Sequence, residues 1–234
     1  MKTVRCFLAV NLELKAAKKI SELQQQLIGK SSEFKSTLKW VPPQNMHVTV
    51  RFLGNITEPM IQAIKDGLEP ITQSSAPFLM ETASVGVFDA DALRVLHMKI
   101  ADPSGGMTQL VTQCHELLEN IGFKKIDRTY TPHVTLARIK DGIADEIEQL
   151  IADHADVACG SSLVRDLACY ESKVSQSGVD YHLLWKLPLQ KRMPKEATPQ
   201  EESSEDEPPT ENEPSKPCDV SESSDVREPS VQGE

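Results

Sequence analysis

The run NMHVTVRFLG, residues 45–54, decides the fold. Met46, Val48, Val50 and Phe52 alternate with His47, Thr49 and Arg51, which is the pattern of a strand with one apolar face. The other face sets a histidine, a threonine and an arginine side by side. The second half of the chain repeats the core of this run in TPHVTLAR, residues 131–138. Side chains two apart on a strand share a face. His47 therefore points with Thr49, and His133 with Thr135. Arg51 has the parity of His47. Arg138 has the opposite parity to His133 and reaches the same face only if its strand bulges or ends first.

Working outward, each half reads as strand, helix, H-x-T strand, helix, strand. In the first half, strands are expected at 4–11, 38–41, 47–54 and 78–88. Helices are expected at 14–28, where Ile20, Leu23 and Leu27 recur at helical spacing, and at 58–68, capped by Thr57. In the second half, 93–100 alternates as a strand and 107–121 is amphipathic, ending at Gly122. The His133 strand follows, then a helix over 143–153 and a hairpin formed by 163–172 and 181–187. This is an α+β fold of two interleaved lobes from duplicated units, about 1–90 and 91–192. A pseudo-twofold between the units would turn both H-x-T pairs into one cleft.

Charge is partitioned along the chain. From Met193 onward there are 13 acidic and 3 basic residues, which accounts for the whole net charge of −10. Residues 1–192 carry 22 of each sign, so a broad basic surface for polyanions is not expected there. Residues 193–234 are rich in Pro, Glu and Ser and read as a disordered acidic tail, because they hold too little apolar surface to offset chain entropy. The five cysteines include no C-x-x-C, which favours reduced thiols and a cytoplasmic location. The opening residues lack an apolar run long enough for a signal peptide, and no stretch approaches a membrane span.

Two imidazoles and two hydroxyls around one small volume suit phosphoryl transfer at an RNA phosphate without metal. A neutral imidazole takes a proton from the attacking oxygen, and an imidazolium gives one to the leaving oxygen. A histidine pKa near 6.5 lets both forms exist at neutral pH. Threonine hydroxyls can donate to the non-bridging oxygens, and Arg51 can add a bidentate contact. With 6 His and 13 Thr in the chain, chance supplies about 0.3 H-x-T pairs. Two such pairs, in matching strands of matching halves, point to function rather than to surface cross-strand contacts. His97, His115 and His154 read as structural or surface groups, and His182 as either. No Cys or His spacing forms a closed metal-ligand set.

These motifs, with RCFLAVNL, VGVFDADALRVLHMKI and LACYESKVSQSGVDYHLLWKL, resemble the 2H phosphoesterase superfamily. The likeness covers residues 1–192 and is to the branch of RNA 2′,3′-cyclic phosphodiesterases, also named 2′-5′ RNA ligases. It implies a bilobal fold whose two antiparallel sheets line a central cleft, with helices outside. It also implies opening of a terminal 2′,3′-cyclic phosphate to a 2′-phosphate by a monomer, with no cofactor. His47 would be the proton donor and His133 the proton acceptor, an assignment that the near-symmetric motifs leave open. Thr49 and Thr135 would bind the phosphate, Arg138 matches an arginine that follows the second motif, and Phe7 and Tyr130 would hold the terminal base by stacking. His97 departs from the resemblance, since many relatives carry tryptophan there. The same histidines would serve a 2′-5′ phosphodiesterase, a ligase or another cyclic-phosphate hydrolase. The rival outside catalysis is an RNA-end binder.

Overall fold

The computed structural model describes residues 2–30, 37–88, 95–139, 144–154, 156–175 and 178–190. The acidic tail and the turn of the final hairpin, 176–177, lie outside the described residues. All strand pairs are antiparallel, and they join in one nine-stranded sheet. Its strands are β1 (Thr3–Asn11), β2 (Leu38–Trp40), β3 (His47–Thr57), β4 (Phe78–Phe88), β5 (Val95–Ala101), β6 (His133–Ile139), β7 (Ser161–Val164), β8 (Asp166–Ser175) and β9 (Gly178–Pro188). The order is β7-β4-β5-β6-β3-β1-β8-β9, with β2 on β6. The two expected sheets are the two halves of this order. They meet at β3 and β6 through a single registered pair, Val48 with Val134.

The halves exchange strands. β4 comes from the first half of the sequence and pairs with β5 of the second, while β8 comes from the second and pairs with β1. The single strand expected over 163–172 is therefore two strands. β7 pairs with β4 and β8 with β1, and Arg165 lies between them. Its carbonyl accepts a hydrogen bond from the Leu189 N–H at 2.8 Å.

Among the described residues, four helices accompany the sheet: α1 (Leu14–Lys30), α2 (Glu58–Ser74), α3 (Gly106–Asn120) and α4 (Ala144–Asp153). Each buries one stripe. Ile20, Leu23 and Leu27 of α1 and Leu110, Cys114 and Leu118 of α3 join the core with Leu8, Val10, Val48 and Val134 of the sheet. Helix α2 runs past the expected end at Leu68 and through Pro70. Thr57 is extended at its start, but its hydroxyl makes no capping bond; Glu58 and Pro59 suit the first turn instead. After α3, Gly122 has φ +99°. Its N–H reaches the Glu119 carbonyl, and the Phe123 N–H reaches the Leu118 carbonyl. These are the two bonds of a Schellman ending, which glycine adopts without strain.

Both H-x-T strands are bulged at the same place. Thr49 pairs with Ala9 and Arg51 with Leu8, so Val50 has no partner on β1. Thr135 pairs with His97 and Ala137 with Leu96, so Leu136 has none on β5. A bulge leaves its extra residue outside the ladder on that side, and a helix side chain reaches its carbonyl in each case, joining the Val41 N–H on Leu136. The Gln24 side-chain amide of α1 donates to the Leu136 carbonyl at 2.9 Å. The His115 Nε2 of α3 lies 3.2 Å from the Val50 carbonyl. His115, read as structural from sequence, is the clamp on this bulge.

Candidate active site

Val48 and Val134 are fully buried and face each other across the seam. Their neighbours on either side turn the other way. The antiparallel register sets His47 beside Thr135 and Thr49 beside His133, so all four side chains of the two H-x-T motifs share one face at the junction of the two halves. The two imidazoles are held alike. His47 Nδ1 lies 2.8 Å from the Asn45 carbonyl, and His133 Nδ1 lies 2.8 Å from the Thr131 carbonyl. A carbonyl only accepts, so each Nδ1 carries the proton and each Nε2 is left to exchange one. The His47 Nε2 is 3.0 Å from the Thr49 hydroxyl. Asn45 is itself anchored, donating from its side chain to the Val179 carbonyl at 2.7 Å.

The surroundings of the two rings differ. His47 lies against Phe7 at 4.7 Å and edge-on to Tyr181 at 5.2 Å between ring centroids. His133 lies edge-on to Phe88 at 4.6 Å and 5.4 Å from His97. Burial pushes the His47 imidazole down to about 4, opposed by its bond to Asn45 and assisted by His133. Burial also lowers His133, against the bond to Thr131. Both shifts favour the neutral imidazole in the free protein, and an anion between the rings would draw protons onto them.

The bulges reassign the arginines. Phe7 pairs with Phe52 and touches His47, which places Phe52 on the His47 face. Arg51 therefore points to the opposite, helical face, contrary to the parity read from sequence. It is 6% exposed, and its Nη2 donates to the Lys124 carbonyl. In β6 the same shift turns Arg138 toward the cleft, where it is exposed and within electrostatic reach of Tyr181. Phe7 is 2% exposed and packed among His47, Tyr170 and Tyr181. It is a floor beneath His47 and presents no open face to a base. Tyr130 is half-buried and its hydroxyl donates to the Thr49 carbonyl at 2.9 Å. The aromatic group open to solvent on this face is Phe52, at 64%.

His97, structural by the sequence reading, forms part of the cleft wall. It is 1% exposed, stacked on Phe88 at 3.9 Å, and its Nε2 has no hydrogen-bond partner. Gly86 of β4 makes the room. A Cβ there would lie 3.1 Å from His97 Nε2 and 2.8 Å from Lys99 Cε. Lys99 can swing aside, but the stacked imidazole cannot. Gly86→Ala should lower stability by about 1–3 kcal/mol, measured by urea unfolding; an unchanged midpoint would show that the wall yields.

Among the described residues no group of three or more His, Cys, Asp or Glu is placed to hold a metal ion. None of the described helices is long and apolar enough to cross a membrane. Cys6, Cys114, Cys159 and Cys169 are free and buried.

Fold, site and comparisons together define a phosphoesterase. The chain belongs to the LigT-like phosphoesterase family, which matches residues 12–96 and 100–181. It is 31% identical over 183 residues to the RNA 2′,3′-cyclic phosphodiesterase of Aquifex aeolicus, covering 77% of this chain and 95% of that one. The protein of the same name from Archaeoglobus fulgidus is 27% identical over 76% of this chain and 96% of its own. Among solved structures, TT0787 of Thermus thermophilus superposes with a TM-score of 0.68 at 23% identity, over 81% of this chain and all of that one. Escherichia coli LigT complexed with 3′-AMP gives 0.67 at 19% identity, again over 81% and the whole chain.

Proposed function

We propose that this protein hydrolyses the 2′,3′-cyclic phosphate at RNA 3′ ends to a 2′-phosphomonoester, without metal, as a cytoplasmic monomer. Water attacks phosphorus and gives its proton to His133 Nε2. The bond from phosphorus to O3′ breaks, and O3′ takes a proton from His47 Nε2. One water is consumed, and exchange with solvent restores both imidazoles. Thr49 and Thr135 donate to the non-bridging oxygens, where charge grows. Arg138 adds positive charge on the same face, and Phe52 offers a stacking surface for the terminal base.

The observation that supports this reading is the paired tautomer lock: two Nδ1–H groups on backbone carbonyls, leaving two unprotonated Nε2 atoms on one face, that of His47 beside the Thr49 hydroxyl. A non-catalytic binder has no use for two proton-exchanging atoms so prepared. The names of the similar proteins agree with the substrate. The test is an RNA ending in a 2′,3′-cyclic phosphate, incubated with excess EDTA. Turnover should persist, and the product should carry its phosphate at 2′. A 3′-phosphate product would reverse the roles of the two bridging oxygens. Loss of turnover on chelation would end the metal-independent reading.

A further inference from the structure

Beyond Val48 and Val134, no further registered pair joins β3 to β6 among the described residues. On the Thr49 side the sequence explains the stop. Pro132 has no N–H to offer a ladder, and its carbonyl accepts from the Ile100 N–H of β5 at 3.0 Å. The chain before His133 therefore keeps to β5 and leaves β3.

Tyr130 restores the link to β3 with its side chain. Its hydroxyl donates to the Thr49 carbonyl at 2.9 Å. Burial holds the phenol well above its ordinary titration range, so the oxygen keeps its proton and stays a donor. The ring lies edge-on to His115, at 6.4 Å between centroids, and His115 itself holds the bulge at Val50.

The two ends of this bond lie on opposite sides of the site. At one end, the Thr49 hydroxyl is 3.0 Å from His47 Nε2. At the other, Tyr130 is next in sequence to Thr131, whose carbonyl takes the His133 Nδ1–H. One phenolic bond thus runs from the residue that touches His47 to the neighbour of the residue that orients His133. A second tie lies earlier in the same run, where Arg51 Nη2 donates to the Lys124 carbonyl. Residues 125–129 between the two ties are exposed and form neither helix nor strand. Little of this run is packed, so its ties to β3 decide where Thr131 sits.

We infer that Tyr130 is a positioning residue: its hydroxyl, bound to the Thr49 carbonyl, sets the Thr131 carbonyl and through it the tautomer and aim of His133 relative to His47. Its effect on turnover rests on the cyclic phosphodiesterase reading; its effect on the His133 ring does not. A proton-transferring group displaced by a fraction of an ångström loses much of its rate advantage, because the reacting atoms no longer meet in line.

Tyr130→Phe keeps the ring and removes the tie. On a cyclic-ended RNA its kcat should fall about tenfold or more. KM should stay within about threefold, since the groups proposed to bind the phosphate are untouched. Added to His133→Ala, Tyr130→Phe should cause no further loss, because residues that act through one another are not additive. The second readout is the long-range proton–nitrogen spectrum of the histidine rings, recorded on the full chain without substrate at about pH 8, where both rings are neutral. His133 should show the Nδ1–H pattern in the wild type and a mixture of tautomers in Tyr130→Phe, while His47 keeps its pattern on the Asn45 carbonyl. A cooperative urea transition checks that the variant is folded. An unchanged His133 pattern would overturn the assignment. So would an equal loss of kcat with and without the His133 imidazole. Because the spectrum needs no substrate, its outcome is independent of the phosphodiesterase reading, which the turnover of the wild type tests by itself.

Discussion

His47→Ala and His133→Ala should each lower kcat on a cyclic-ended RNA by about 10³-fold or more. Proton transfer by one positioned group contributes about 10²–10⁴-fold, and removing either imidazole also leaves the other without its partner step. The double variant should be little worse than either single one, because groups that act as a unit are not additive. The fold should survive both changes. Neither ring belongs to the fully buried core, and the seam beneath them is carried by Val48 and Val134. Circular dichroism and a cooperative urea transition check that point. A variant that keeps activity within tenfold of wild type would remove that histidine from the chemistry. The two singles need not be equal. His47 loses contact with Phe7 and Tyr181, and His133 with Phe88 and His97. A larger KM change in one of them would locate the side of the cleft that grips the nucleoside.

The alternation of His47-Val-Thr and His133-Val-Thr was enough to place both strands and to put each histidine with its threonine, because period-two burial is written locally. The positions of Arg51 and Arg138 were not legible, because they depend on the bulges. Nothing in Val-Thr-Val-Arg or Val-Thr-Leu-Ala marks an extra residue. The bulges are held by Gln24 and His115, which come from distant helices to the carbonyls of the two extra residues. His97 was hidden for a related reason. Its own strand shows Leu96, His97 and Met98 all buried, so alternation could not separate core from cleft. Its partners Gly86, Phe88 and His133 are all nonlocal. Tyr181 enters the site only through the register of β9 on β8 and of β8 on β1, and Phe52 only through the displaced register of β3. The exchange of β4 and β8 between halves follows from pairing choices that no single segment encodes.

The pH dependence of kcat/KM tests the electrostatics of the cleft directly. This ratio reports the free enzyme. The proposed mechanism requires one imidazole protonated and the other neutral at the moment of encounter. Burial lowers both, His47 to about 4. At pH 7 the acid form of such a group is present in about one molecule in 10³. Above the titration of His133, kcat/KM should therefore rise about tenfold for each unit that pH falls. Two histidines at their ordinary pKa would give only about a sixfold rise between pH 8 and pH 6. The kcat profile should differ in a definite direction. A bound cyclic phosphate carries a negative charge, which favours the protonated imidazole and moves its titration upward. The optimum in kcat should lie at higher pH than the optimum in kcat/KM. Because the two rings interact, the apparent values belong to the pair and not to either residue. A kcat/KM that is flat or rising from pH 6 to pH 8 would mean that the proton donor is not one of these buried imidazoles.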